Sequence, residues 1–466
     1  MARDNTLEAR NLFFWGQDRW GAWPMWLIGG IMKSLNFKIN YDNYYLFQFL
    51  FIFLCILYYV YKNFTEHRML FISILLCIFS LKTETCNYLL DISQPYAWQL
   101  GCYLLFISIY LEKKRKSLFQ YSILILLSIL QVWSNPLSLF YMSIFALVIH
   151  IEKLFYQKKK LGNLNLFIFL FILPSFMINE LFKSKWYIWT LLKLKNIFNT
   201  KIQVENFETS FINLKTILYK TFSNQFILLL IILIAILLLF LFFKRIRIKD
   251  KNPILITLIF LLICFIQIIL FSIINWIRLN VYHERYFFPI YFLITLSFLH
   301  LVYSLLLDSN EKIKKFIIYA PLLMILPLVE NLNLIPNKEN QLLKEQAIYL
   351  EKNFTGLPLL GDFWGIYVWP ALQEKNASIP INTTNQKQYS GWNYSKLKNG
   401  DQILVSWYLF EPKLESGSLF DLAKNPRKNF IEQGFEFSLL EEKTLELKKE
   451  GIPMAVYRIK KLGISF

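Results

Sequence analysis

The sequence predicts a polytopic α-helical membrane protein of about ten spans, with a small α/β or α+β domain at its C-terminal end. Three observations point there. Of 466 residues, 56% are hydrophobic and 18% aromatic, more apolar than a soluble globule tolerates. Those residues gather in runs close to bilayer length. The cations behind the formal charge of +18 sit in short clusters between the runs, as Lys113-Lys114-Arg115-Lys116 shows. Loops of that kind fix orientation in a membrane, which argues against nucleic acid as the partner of so basic a chain.

In chain order, residues 1–19 are polar to amphipathic, and Trp20 to Leu35 is apolar but broken by Pro24 and Gly29-Gly30. Trp20, Trp23 and Trp26 recur at helical spacing. Tryptophan favours the headgroup level, so the stretch predicts a helix lying in the interface, with a short buried helix as the alternative. Apolar runs at 45–62, 68–82, 95–111, 117–134, 136–152, 163–182, 225–243, 253–277, 285–306 and 316–335 predict the spans. Eighteen residues at 1.5 Å each reach roughly 27 Å, enough to cross with little tilt. Cys55, Cys77, Cys102 and Cys264 lie in these runs as small packing residues, and Cys86 lies near a membrane end.

Orientation follows from the basic loops. Lys113–Lys116, Lys158-Lys159-Lys160, the 244–249 cluster and Lys312-Ile313-Lys314-Lys315 all fall on one side, predicted to be cytoplasmic. Residues 1–44, 83–94, 134–136, 183–224, 278–284 and 336–466 then face outward. Both termini are outside, so the topology expects either a further helix ahead of Met1 or another route across for the first loop. The long 183–224 loop is lysine-rich, and Trp186 and Trp189 suggest that it lies along the surface, where lysines meet anionic headgroups or simply solvent.

From about Pro336 the composition changes. An amphipathic helix (Gln341–Asn353) is followed by strand-like runs at 357–360, 402–407 and 454–457, with turn signals at Asn399-Gly400 and Gly451-Ile452-Pro453. The chain thus divides into an outer loop with its interfacial helix (1–44), a transmembrane domain (45–335) and an outer soluble domain (336–466). The last has no cysteine and must fold without disulfides.

Chemistry is expected to begin in the first outer loop. Asp4, Glu8 and Asp18 stand there with Arg3, Arg10 and Arg19 beside them, and a helix would put Asp4 and Glu8 on one face. A partly desolvated carboxylate suits a general base, and an arginine fork suits phosphate; the alternative is a helix start with surface ion pairs. Glu84 and Asp91 bracket another outer turn, Asn135-Pro136 a third, and Arg278, His283 and Arg285 flank a late one. No His/Cys/Asp cluster has zinc spacing, and no glycine-rich phosphate loop appears.

The stretch from Arg3 to Gly21 resembles the first outer loop of the GT-C superfamily of integral-membrane glycosyltransferases, in the branch related to aminoarabinose and protein O-mannosyl transferases. Asp4-Asn5 stands where those proteins carry an acidic pair, with Asn5 replacing the second acid, and Phe13-Phe14-Trp15-Gly16-Gln17 matches the segment that follows. Gln94-Pro95-Tyr96-Ala97 resembles the family's Arg-Pro-Tyr-Ala. Glu284-Arg285-Tyr286-Phe287-Phe288-Pro289 resembles its Arg-Tyr-x-x-Pro, and Gly361-Asp362-Phe363-Trp364-Gly365-Ile366-Tyr367 a run in the outer domains of some relatives.

The resemblance implies inverting transfer of a sugar from a polyprenyl-phosphate carrier to an acceptor glycan, lipid or protein. It places the chain in a bacterial inner (plasma) membrane, with the C-terminal domain extracytoplasmic. Asp4 would be the base, with Glu8, Asp18, Glu84 and Asp91 as secondary acids. Arg10, Arg19 and Arg285 would meet the lipid phosphate, with Arg278 and His283 nearby. No metal ligands and no cofactor are assigned, and participation of a divalent cation stays open. Two other classes compete: a transporter or flippase for a lipid-linked glycan, and a non-catalytic envelope assembly protein. The near absence of charge within the spans argues against ion-coupled transport.

Overall fold

The computed structural model describes residues 23–37, 41–64, 95–112, 116–157, 162–191, 207–243, 252–274, 286–308, 338–361, 369, 379–382, 397–406, 426, 428–432 and 434–462. Two units emerge, a bundle of apolar helices and a C-terminal sheet with its own helices.

The helices are α1 (Trp23–Ser34), α2 (Tyr41–Asn63), α3 (Tyr96–Tyr110), α4 (Leu118–Ser134), α5 (Ser138–Gln157), α6 (Gly162–Phe167), a π turn (Ile168–Ile172), α7 (Leu173–Leu191), α8 (Phe207–Ser223), α9 (Gln225–Phe243), α10 (Asn252–Ile273) and α11 (Phe288–Asp308). Four stretches are long and apolar enough to cross a bilayer: Asn43–Asn63, Leu164–Ser184, Pro253–Ile273 and Phe288–Leu305. The chain is therefore a membrane-embedded helical protein.

The expected count of about ten spans is reached only in part. Helices α3 and α4 and the apolar stretch Ser138–Glu152 of α5 are short, since 15 to 17 residues cover roughly 22–26 Å against a hydrocarbon core of about 30 Å. Expected spans 68–82 and 316–335 lie outside the described residues. The span at 225–243 appears as α9, which joins α8 through a 90° bend. α8 buries Asn213, Ile217 and Thr221 and turns Phe207, Phe211 and Tyr219 outward. The Asn213 amide donates to the Ser272 carbonyl at 3.1 Å, pinning α8 to the end of α10.

Local chemistry accounts for several boundaries. Ser117 and Gln120 form a reciprocal capping box at the start of α4. The π turn ends two residues before Pro174, and the Leu173 N–H bonds to the Ile168 carbonyl, five residues back. Proline lacks the N–H and crowds the carbonyl four residues before it, and a locally widened turn accommodates both faults. Gly101 lets α3 approach α2 closely: a Cβ there would sit 2.6 Å from the Phe51 ring. At the opposite end of that pair the Lys62 ammonium meets Glu112 at 3.0 Å, and Gln120 donates to the same carboxylate at 3.0 Å. α11 has 94% of its spanning window buried, which makes it the axis of the bundle.

The second unit begins with α12 (Lys338–Asn353) and contains β1 (Pro358–Gly361), β2 (Ile379–Asn382), β3 (Gln402–Ser406), β4 (Asn429–Glu432), β5 (Phe435–Leu439), α13 (Glu441–Lys449) and β6 (Met454–Lys461). Its sheet runs β2-β1-β3-β6-β5-β4. β1 lies parallel to β2 and β3, and the β6, β5 and β4 pairings are antiparallel. Ala347 and Leu350 of α12, Phe354 just beyond it, and Leu447 of α13 pack on Leu359, Leu404, Met454 and Val456. Gly400 and Gly451 take positive φ at the two predicted turns, a conformation that favours glycine.

Candidate functional site

Asp4, Glu8, Arg10, Asp18 and Arg19 lie outside the described residues, as do Glu84, Asp91, Arg278, His283 and Arg285. What the structure does give is the frame into which their neighbours run. Three of the motifs predicted to face outward meet at one end of the bundle. Pro95 caps α3, and Tyr96, buried behind it, sets its ring 6.1 Å from that of Phe288, the first residue of α11. The Asn135 amide, in the turn between α4 and α5, donates to Gln99 Oε1 at 2.8 Å. Asn135 Oδ1 in turn accepts the Leu137 N–H at 3.1 Å, which folds the Asn-Pro turn on itself.

The N-terminal segment enters the bundle at the same end. Trp23 donates its indole N–H to the Ser134 hydroxyl at 2.8 Å and shares it with the Leu130 carbonyl at 3.1 Å. Its ring stands edge-on to Trp98, with centroids 5.1 Å apart. Trp98 stacks on Phe51 and donates to Gln48. Trp26 packs on Trp133, which touches Phe182 of α7. Trp23 and Trp26, two of the three tryptophans expected at the headgroup level, join α1 to α3, α4 and α7 through Trp98, Trp133 and Phe182. Trp23, Ile28 and Met32 of α1 are buried.

Among the described residues the rim is polar with few charges. Beside its amides stands one ion pair among the described residues, Glu180–Lys183 at 3.1 Å, with Glu180 half-exposed and Lys183 less so. Gln48, Gln99, Gln131, Ser134, Asn135 and Asn179 are all buried around it. Such an arrangement orients neutral hydroxyl or amide groups by hydrogen bonds, and its tryptophan faces suit apolar ring surfaces.

A second polar pair lies deeper. His300 on α11 hydrogen-bonds Tyr59 on α2 at 2.5 Å, enclosed by Phe64 and Phe260. Among the described residues no three His, Cys, Asp or Glu side chains gather as metal ligands. Reading the spans for charge alone overlooked both polar sites. Tallying every glutamine, asparagine and histidine within apolar runs would have flagged Gln48, Gln99, Gln131, Gln267 and His300.

Fold and site together describe a membrane-embedded helical bundle with an amide- and tryptophan-lined rim at one end, followed by a small α/β unit. Comparison with family models, curated proteins and solved structures finds no match for this chain.

Proposed function

We propose that the protein is an inverting membrane glycosyltransferase that moves a sugar from a polyprenyl-phosphate carrier to an acceptor. In this reading about ten spans cross a bacterial inner membrane, the rim faces outward, and the C-terminal unit is extracytoplasmic. One observation carries most weight. The chain leaving the acidic, arginine-rich N-terminal stretch is anchored by Trp23 to the end of α4, beside the start of α3. There Tyr96 also meets Phe288, three residues beyond Arg285. The described residues that follow these two candidate stretches, Trp23 and Phe288, thus pack at one rim, which supports the reading.

The chemistry asks little of the protein. The acceptor oxygen attacks the anomeric carbon from the face opposite the phosphate, Asp4 takes the acceptor proton, and the sugar–phosphate bond breaks with its electrons on the phosphate. A leaving phosphate is stable as an anion, so no general acid is needed. Arg10, Arg19 and Arg285 offset the charge that grows on it.

The test is sugar transfer in membranes with a polyprenyl-phosphate sugar donor, comparing wild type with Asp4→Asn. The expected loss is about 10²–10⁴-fold, the usual contribution of a positioned base. Undiminished transfer by a correctly folded variant removes Asp4 from the mechanism.

A further inference from the structure

Of the eight buried side-chain nitrogen and oxygen atoms that lack a hydrogen-bond partner among the described residues, five belong to the rim-end helices. They are Trp26 Nε1 on α1, Gln99 Nε2 on α3, both amide atoms of Gln131 on α4, and Asn179 Oδ1 on α7. Gln99 and Gln131 are 0% exposed. Gln131 stands one turn before Asn135, whose amide bonds Gln99. Leaving such groups unmatched in an apolar interior is costly, and native proteins rarely do so without water or a ligand to answer them.

The chemistry of the unmatched atoms is specific. Three are N–H donors and two are carbonyl acceptors, none charged, so they match hydroxyl groups, which donate and accept at once, better than an ion. Trp23, Trp26, Trp98 and Trp133 stand around the same helix ends. An amide set beside flat aromatic faces matches a sugar ring, whose edge is hydroxylated and whose faces are lined with C–H. Both glutamines can redirect their amides by rotation about three side-chain bonds, without moving the backbone.

We propose that Gln99, Gln131 and Asn179, with Trp26, form the subsite that recognises the hydroxyls of the transferred sugar, apart from the cations that hold its phosphate. The inference rests on the glycosyltransferase reading but is tested separately from it. The full-length protein in nanodiscs is titrated with farnesyl phosphate and with farnesyl phosphate bearing glucose, mannose or N-acetylglucosamine. Wild type should bind at least one sugar-bearing form about tenfold more tightly than bare farnesyl phosphate, the worth of one or two hydrogen bonds. Gln131→Leu, with Gln131→Met as the second variant, should erase that preference and keep the affinity for farnesyl phosphate. Both should also raise the thermal midpoint, since they remove two unmatched buried atoms.

A sugar preference that survives in both variants overturns the subsite and leaves the enzyme reading standing. Equal binding of all probes by wild type overturns the subsite as well. If wild type binds neither farnesyl phosphate nor its sugar forms, subsite and enzyme reading fall together.

Discussion

Replacing Asn135 with alanine tests how the rim is held. The Asn135 side chain makes two contacts, donating to Gln99 Oε1 at 2.8 Å across the α3–α4 pair and accepting the Leu137 N–H at 3.1 Å within its own turn. Each contact contributes about 1 kcal/mol net. The substitution also strands Gln99 Oε1 in a fully buried position whose Nε2 already lacks a partner, adding a desolvation cost of about 1–3 kcal/mol. Asn135→Ala should therefore lose about 3–5 kcal/mol. The asymmetry between breaking a buried pair and removing it supplies the control. Gln99→Leu made on top of Asn135→Ala replaces the stranded amide by an apolar group and should recover about half of the loss. Reversible unfolding in mixed micelles, for the two single variants and the double, closes the cycle. An Asn135→Ala protein as stable as wild type, or a double variant less stable than Asn135→Ala alone, refutes the assignment of Gln99 and Asn135 as a coupled buried pair.

Two further outcomes follow from the helix contacts. Gly101→Ala gains about 1 kcal/mol of helix propensity but pushes a methyl into the Phe51 ring, which is held by its stack on Trp98. Overpacking costs about 1–3 kcal/mol, so the variant should unfold at lower temperature, and adding Phe51→Leu should restore it. At the other end, Glu112→Gln removes the partner of Lys62 at a partly exposed pair. It should cost less than about 1 kcal/mol, and the difference from wild type should shrink as salt rises, measured by unfolding at two ionic strengths.

The apolar runs made the bundle visible in advance. The run at 253–277 is α10 (Asn252–Ile273), and that at 285–306 is α11 (Phe288–Asp308). Pattern also revealed β3 and the start of β6, because their residues are almost all apolar. It missed α13, whose nine residues bury only Thr444 and Leu447 beneath a charged surface, too few to show a helical period. Strands β4 and β5 were missed as well; they pair around Gly434, at positive φ, with no familiar turn dipeptide to announce them. The rim was legible only at its corners. Pro95-Tyr96, Asn135-Pro136 and Phe288-Pro289 could be picked out as motifs. That Gln99 faces Asn135 depends on how an antiparallel helix pair comes into register, and that Trp23 reaches Ser134 depends on where α1 docks. Neither relation is local in sequence.

The right angle between α8 and α9 has a mechanical consequence. If α9 stands upright in lipid, α8 is a crossbar about 25 Å long at the water boundary, with Phe207, Phe211 and Tyr219 along its outer edge. Rocking the bundle by about 10° would swing the free tip by about 4 Å, carrying aromatic rings out of the layer they favour. The crossbar thus works as an outrigger that holds the bundle at a steady height and pitch over the lipid, which is what the proposed transfer from a long, floppy carrier would need.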